Sequence, residues 1–197
     1  MRLSKKSLKG AFLILLILTL LISAGCSAED PDTGKDTEKN STEKEITIGL
    51  TSFQTEDIYG TEMDQSIFKD YTLTMVNVWG TYCGPCLEEM PYLGELQNEY
   101  ETKGVNIMGI VIDVQDENLE ILEDQLDLAR EIAEETGADY THLIVSEEMI
   151  DAVLYQLSSI PSTFFVDSDG NIVSEFYIGA REKSKWADII EENLEKL

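Results

Sequence analysis

The chain has 197 residues, enough for one globular domain together with a leader and a linker. Its 39 Asp and Glu residues far outnumber its 14 Lys and Arg residues, giving a formal charge of −25 at pH 7. This charge argues against a nucleic acid partner, because a phosphate backbone would be repelled, and it favours high solubility or a basic partner.

Residues 1–25 have the pattern of an export signal. They contain four basic residues and no acidic residue, an apolar run over residues 11–22, and the small residues Ser23, Ala24 and Gly25 just before Cys26. The apolar run is about a dozen residues long, whereas a helix that spans a bilayer needs about 20. We therefore predict a signal peptide over residues 1–25, and an uncleaved membrane anchor is the alternative.

Residues 26–45 are predicted to form a disordered acidic tether. The segment is polar, contains Pro31 and Gly34, and shows no apolar periodicity. It would hold a folded domain, predicted over residues 46–197, away from the membrane. Three short elements are expected at the start of that domain: a strand over residues 46–50, a strand and turn over 53–60, and a helical turn over 66–71.

The most informative stretch joins a buried strand to a pair of cysteines. Residues 73–78 are largely apolar and β-branched, as in a central strand, and Gly80 ends the run. Pro85 suits the first turn of a helix, which would put Cys83 at or near the N-cap. There the helix dipole and free backbone N–H groups stabilise a thiolate, the form of cysteine that attacks a disulfide.

The remainder of the chain alternates between helices and strands. Helices are predicted over residues 86–102, 118–136, 146–157 and 182–196, and strands over residues 105–114, 141–145, 162–166 and 171–178. This order implies an α/β fold in which helices flank a mixed central sheet.

The three cysteines limit the chemistry that the chain can perform. If Cys26 carries lipid, Cys83 and Cys86 form a closed pair, and the single histidine, His142, cannot complete the four ligands of a zinc site. Leu87 stands where a haem-attachment motif needs histidine. A Cys83–Cys86 disulfide closes a very small loop, so it adds little stability by chain entropy. The spacing therefore favours a redox-active pair over a structural bridge. A copper chaperone fits poorly with a two-residue gap and one distant histidine, which we expect to be an ordinary strand-end residue.

The run from Trp79 to Cys86, WGTYCGPC, resembles the active-site motif of thioredoxin-like proteins. Extended to Tyr92, it resembles the TlpA/ResA group of membrane-anchored, extracytoplasmic thiol–disulfide oxidoreductases. The resemblance covers residues 46–197, includes the Ile160-Pro161 step and the final hairpin, and matches residues 141–157 to an extra strand and helix that mark the group. It implies a thioredoxin-like fold, and Tyr82 departs from it by replacing the tryptophan that is commonest before the first cysteine.

The catalytic roles expected for three residues follow the cysteine motif and the resemblance. Cys83 is expected to attack a substrate disulfide and Cys86 to resolve the mixed disulfide. The resemblance places a functional carboxylate at Glu89, where a raised pKa would let it exchange protons with the thiols. The alternative for Glu89 is an ordinary solvated helix acid.

Substrate contact and anchoring are expected from further positions. Trp79 and Tyr82 would shield the disulfide, although core packing is the alternative for Trp79. The resemblance also implies a cis bond between Ile160 and Pro161, with the Ile160 backbone open to a substrate strand. Cys26 is expected to be lipidated.

The predicted function is that of a lipid-anchored reductant of protein disulfides outside the cytoplasmic membrane. Such proteins serve in cytochrome c maturation or supply electrons to peroxide or methionine sulfoxide reductases. A membrane electron donor of the CcdA or DsbD type would recharge the dithiol. No organic cofactor or metal is expected, and the chain is predicted to be monomeric. The alternatives are a non-catalytic binding or adaptor lipoprotein with an inert disulfide, and a peroxidase of the peroxiredoxin type, whose Pro-x-x-x-Thr/Ser-x-x-Cys setting is not found in the sequence.

Overall fold

The computed structural model describes residues 48–197, so the predicted signal peptide, the tether and Cys26 lie outside the described residues. Within this range the chain forms seven strands and four α-helices. Their order is β1 (Gln54–Glu56), β2 (Glu62–Asp64), β3 (Leu73–Trp79), α1 (Gly84–Tyr100), β4 (Val105–Val111), α2 (Glu123–Thr136), β5 (His142–Ile144), α3 (Glu147–Ala152), β6 (Ser162–Val166), β7 (Tyr177–Ile178) and α4 (Lys183–Leu194). Short 3₁₀ segments occur at Gln65–Phe68, Glu101–Lys103 and Leu154–Gln156.

Five of the strands form one mixed sheet in the order β5-β4-β3-β6-β7. β3, β4 and β5 are parallel, β6 runs antiparallel to β3, and β7 runs antiparallel to β6. All seven residues of β3 are buried, because both faces of the sheet are covered. The α/β class with a mixed central sheet between helices, predicted from the sequence, is confirmed.

The side chains of β3 alternate between two hydrophobic cores, as the pleat of a strand requires. Met75 and Trp79 belong to the core that also contains α1, α2 and α4, whereas Val76 and Val78 belong to the core that contains α3 and the N-terminal loops. The helices contribute residues at helical spacing to the first core: Met90, Leu93 and Leu96 from α1, and Trp186, Ile189 and Ile190 from α4. This packing on both sides fixes the end of β3, which leads directly to the two cysteines.

The helix predicted over residues 118–136 is shorter than expected, since α2 begins only at Glu123. The preceding residues form a tight loop in which the Asp116 carboxylate accepts the backbone N–H groups of Asn118 and Glu120. Leu119 has φ of +60°, a left-handed conformation that interrupts a helix. A local side-chain cap therefore outcompetes helix formation in this segment.

Two predicted strands are also shorter than expected. In place of the strand predicted over residues 46–50, Gly49 forms an isolated bridge with Asn171, and residues 46–47 lie outside the described range. The strand predicted over residues 171–178 is interrupted, so that only Tyr177–Ile178 forms β7. The hydroxyl of Ser174 accepts the backbone N–H of Phe165, which takes the place of a ladder hydrogen bond between strands.

Other boundaries differ by smaller amounts. β4 ends at Val111, three residues before the predicted end of its strand. The helix predicted over residues 146–157 breaks at Val153 and continues as a 3₁₀ segment. The strand predicted over residues 53–60 is confirmed as β1, and its turn places Gly60 at φ of +82°, where glycine is favoured. Its antiparallel partner β2 was not predicted.

Among residues 48–197, no helix combines the length and the apolar character needed to cross a bilayer. In the same part of the chain, no group of three or more His, Cys, Asp and Glu side chains is arranged to hold a metal ion.

We predict that Gly94→Ala destabilises the fold by about 1–3 kcal/mol, the usual effect of overpacking a close contact. Gly94 lies on α1 where a methyl group would collide with the carbonyl oxygen of Gly137, at the end of α2. Gly84→Ala is the matched control on the same helix, because nothing lies within 4 Å of a methyl group there. Urea unfolding of both variants measures the difference, and equal free energies of unfolding would contradict the prediction.

Candidate active site

Cys83 and Cys86 form a disulfide at the start of α1. Cys83 is the N-cap of the helix, as predicted, and its Sγ accepts the backbone N–H of Cys86 at 3.3 Å. Pro85 lies in the first turn, where its missing N–H costs no helical hydrogen bond. Cys83 retains 6 % of its surface exposed whereas Cys86 has none, so Cys83 is the more accessible of the two cysteines.

The loop between β3 and Cys83 is held by the carboxylate of Asp113, which follows β4. The backbone N–H of Thr81 donates to both carboxylate oxygens, at 3.0 and 2.9 Å, and the Thr81 hydroxyl donates at 2.6 Å. The backbone N–H of Cys83 donates to the carbonyl of Gly80 at 3.0 Å. Sequence reasoning missed Asp113, although an acid directly after a buried strand parallel to β3 was an available signal.

Glu89 lies three residues after Cys86 on α1 and is 1 % exposed. Its Oε1 accepts a hydrogen bond from Nδ2 of Asn77 at 2.9 Å. Its Oε2 accepts two hydrogen bonds at 3.0 Å, one from the backbone N–H of Arg181 and one from Nε1 of Trp186. The carboxylate is therefore bound by β3, by α4 and by the loop before α4. The alternative of a solvated helix acid is excluded by this burial.

Burial raises the pKa of Glu89 above its usual value. The hydrogen bonds from Trp186, Arg181 and Asn77, followed by the positive charge of Arg181, act in the opposite direction. A carboxyl group with a raised pKa can accept and release a proton closer to neutral pH. Sequence reasoning missed the partners of Glu89, and the available signal was Asn77, a polar residue in the middle of an apolar strand.

The bond between Ile160 and Pro161 is cis, as expected from the resemblance. The Ile160 side chain lies near Gly80, where an added methyl group would be 3.1 Å from its Cδ1 and 3.2 Å from the Tyr82 ring. Tyr82 is 73 % exposed and borders an apolar groove of about 450 Å³. The groove is also lined by Ile160, Ile112, Leu154, Tyr155 and Leu157. The structure thus brings Tyr82, Ile160 and the cysteine loop together at one surface.

Trp79 does not lie at this surface. It is fully buried, so the alternative of core packing describes it better than substrate contact. Its Nε1 donates to Nδ1 of His142 at 3.1 Å, and Nε2 of His142 lies 3.0 Å from the carbonyl of Ala138. The acceptor at Nδ1 and the carbonyl at Nε2 together assign the neutral tautomer that carries its proton on Nε2. His142, predicted to be an ordinary strand-end residue, is therefore the buried partner of a tryptophan next to the cysteine loop.

Residues 49–190 match the model of the Redoxin family. Among curated proteins, the thiol-disulfide oxidoreductase ResA of Bacillus cereus is 31% identical over 159 residues, covering 80% of this chain and 82% of the relative. ResA of Bacillus thuringiensis subsp. konkukian is 31% identical over 79% of this chain and 81% of its own length.

Solved structures show the same fold. A thiol:disulfide interchange protein of the thioredoxin family from Chlorobium tepidum has a TM-score of 0.62 at 23% identity, covering 75% of this chain and 97% of that one. StoA from Bacillus subtilis has a TM-score of 0.54 at 17% identity, covering 72% and 97%. These likenesses establish a thioredoxin-like fold for the described domain.

We predict that His142 makes the fold sensitive to acid. Burial lowers the pKa of His142 from 6.5 to about 4, against the smaller opposing effects of the Ala138 carbonyl and the charge of Asp57. Because the folded state binds fewer protons, the stability present above pH 6.5 is lost as the pH falls towards 4, by up to about 3 kcal/mol.

The measurement is the free energy of unfolding in urea at pH 7 and at pH 4.5 for the wild type and His142→Gln. The change with pH is compared, so a packing loss common to both pH values cancels. The wild type is expected to lose more stability on acidification than the variant. Equal losses, or titration near pH 6.5 of the single histidine signal in NMR spectra, would rule out the prediction.

Proposed function

Since the chain belongs to the Redoxin family and is a thiol–disulfide oxidoreductase, we propose that it works as a reductant of protein disulfides, with Cys83 and Cys86 as its dithiol. The observation that carries this proposal is the position of Cys83 as N-cap of α1, with the N–H of Cys86 directed at its sulfur. In the reduced protein the same N–H and the helix dipole would stabilise the Cys83 thiolate. Cys86, fully buried one turn further along, fits the resolving thiol.

The reaction transfers two electrons from the dithiol to the substrate. The Cys83 thiolate attacks one substrate sulfur, the substrate disulfide breaks, and the departing thiolate takes up a proton. Cys86 then loses its proton and attacks the Cys83 sulfur, which breaks the mixed disulfide and releases the second substrate thiolate. The substrate is reduced to two thiols, and the protein is left with the Cys83–Cys86 disulfide.

Glu89 is proposed to accept the proton of Cys86 in the second step. It lies on the same helix, three residues on, so that the two side chains leave adjacent turns. Both groups are buried, which leaves little access for water as a base. Burial also raises the pKa of Glu89, so its carboxylate is a stronger base than a solvated one.

The surface next to Cys83 is proposed to bind an extended segment of the substrate. Tyr82 is exposed, and both Tyr82 and Ile160 line the apolar groove. Within residues 48–197, neither the backbone N–H nor the C=O of Ile160 has a hydrogen-bond partner. A substrate strand could pair with these groups while its side chains contact the groove.

The cellular setting is part of the proposal. The basic, apolar and small-residue pattern before Cys26 supports export and lipidation of Cys26, with the domain held on the outer face of the cytoplasmic membrane. A donor of the CcdA or DsbD type would return electrons to the disulfide. The reduced protein would serve cytochrome c maturation or a peroxide or methionine sulfoxide reductase, acting as a monomer and without an organic cofactor.

We predict that Cys86→Ser accumulates a mixed disulfide with a protein substrate such as insulin, because the resolving thiol is missing. Cys83→Ser is the matched control, since its remaining thiol is buried and should form no adduct. Mass spectrometry of the reaction mixtures detects the adduct. An adduct on Cys83→Ser but not on Cys86→Ser would reverse the assigned roles, and full insulin reduction by Cys83→Ser would refute a catalytic pair.

We predict a reduction potential for the Cys83–Cys86 pair near that of thioredoxin, about −270 mV. The Gly84-Pro85 dipeptide between the cysteines is the one found in cytosolic thioredoxin, which is a reductant. Equilibration with dithiothreitol and glutathione buffers measures the potential. A value near about −120 mV would make the protein an oxidant, and a bridge that neither buffer reduces would indicate an inert structural disulfide.

A further inference from the structure

We propose that Trp186, on the C-terminal helix α4, is a positioning residue for the redox reaction: its indole N–H controls the ionisation of Glu89 and thereby the proton exchange with Cys86. The inference rests on the proposed role of Glu89. It adds an element to the site that is remote in sequence from the cysteines and was not predicted from them.

The indole of Trp186 is held in place by contacts in addition to its hydrogen bond to Glu89. Trp186 is fully buried, and the ring of Tyr177 packs against it edge-on with a centroid distance of 6.0 Å. The guanidinium of Arg181 lies over the indole ring, 4.9 Å from its centre. The indole Nε1 is thus directed at Oε2 of Glu89, at 3.0 Å, with the ring of Tyr177 supporting it from within the core.

The hydrogen bonds of Glu89 show why this N–H matters for ionisation. Oε1 is bound by Asn77, while Oε2 is bound by Trp186 and by the backbone of Arg181. The indole N–H can only donate, so it stabilises the carboxylate and offers nothing to a proton on the same oxygen. Removing it would leave Oε2 with one donor in a site that is closed to water, which favours the protonated form.

Few other ionisable groups can set the charge of Glu89. Arg181 contributes a positive charge from the loop before α4, while Cys86 lies on α1 and Cys83 at its N-cap. In the loop before β5, Tyr140 is buried, and burial together with the charge of Glu89 raises its pKa. α4 also meets α1 through Lys183, which forms ion pairs with Glu95 and Glu99 at their exposed ends. Asn77 of β3, which bonds to Glu89, and Thr163 of β6, which bonds to Asn77, are uncharged.

The experiment uses the full chain in detergent with its dithiol reduced. The titration of Glu89 is followed by ¹³C NMR of labelled glutamate side chains, with its signal assigned by its loss in Glu89→Gln. The rate of iodoacetamide alkylation is measured over the same pH range. Trp186→Phe is expected to raise the titration midpoint of Glu89 by about one pH unit. The part of the alkylation profile that Glu89→Gln alters should move to higher pH as well.

Tyr177→Phe is the matched control. It removes a buried hydroxyl that bonds to Asn193 and lies beside Trp186, but it removes no donor to Glu89. The control should leave the midpoint of Glu89 unchanged. If it moves the midpoint as far as Trp186→Phe does, the effect is one of packing and the proposal fails.

The remaining outcomes separate this inference from the proposed function. A rate profile of Glu89→Gln equal to that of the wild type overturns the role of Glu89. A profile altered by Glu89→Gln, with an unmoved midpoint in Trp186→Phe, overturns only the role of Trp186. If Trp186→Phe does not fold, a tryptophan analogue replaces it. In Trp79→Phe, Trp186 is the single tryptophan left, so benzothienylalanine incorporated there replaces the indole N–H of Trp186 with sulfur and keeps the ring shape. The midpoint of Glu89 must then rise as expected for Trp186→Phe, relative to Trp79→Phe with ordinary tryptophan.

Discussion

The burial of one carboxylate, that of Glu89, is the interaction on which the site depends. A charge removed from water is costly unless hydrogen bonds replace its hydration. Here the replacements come from Asn77 on β3, from the backbone of Arg181 and from Trp186 on α4, which are distant in sequence. The central strand, the cysteine helix and the C-terminal helix must therefore dock together before the carboxylate is satisfied. The environment that sets the pKa of Glu89 therefore exists only when these three elements are packed together.

The cysteine pair obtains its chemistry from the end of β3. A strand buried on both faces delivers the chain to a fixed point, and the Asp113–Thr81 hydrogen bonds hold the loop that follows. Cys83 then becomes the N-cap of α1, where a negative charge on sulfur is favoured. Cys83 is thus the cysteine that the helix terminus would stabilise as a thiolate, and it is the more accessible of the two, whereas Cys86 is fully buried.

The sequence was sufficient for those features that depend on local pattern. The apolar run of β3, the break at Gly80 and Pro85 in the first helical turn located the central strand and the N-cap. The long-range partners of Glu89 could not be inferred, because no local pattern links Trp186 to a residue 97 positions away. The late start of α2 was missed since the Asp116 cap competes with helix formation through a side chain. Likewise the role of His142 became apparent only in the structure, where its ring on β5 reaches across β4 to the indole of Trp79 on β3.

Glu89 and His142, both buried, affect stability in opposite directions with pH. The lowered pKa of His142 means that acidification below pH 6.5 costs stability, because the buried ring must be protonated. The raised pKa of Glu89 means that stability present below its unfolded value of 4.5 is lost as the pH rises through its folded value. The neutral imidazole of His142 therefore suits the fold at neutral pH, whereas burial disfavours the ionised form of Glu89. Glu89 lies one helical turn from the buried thiol of Cys86, and we expect it to act as the base for that thiol. The free energy that burial of the carboxylate costs is regained when Glu89 accepts a proton.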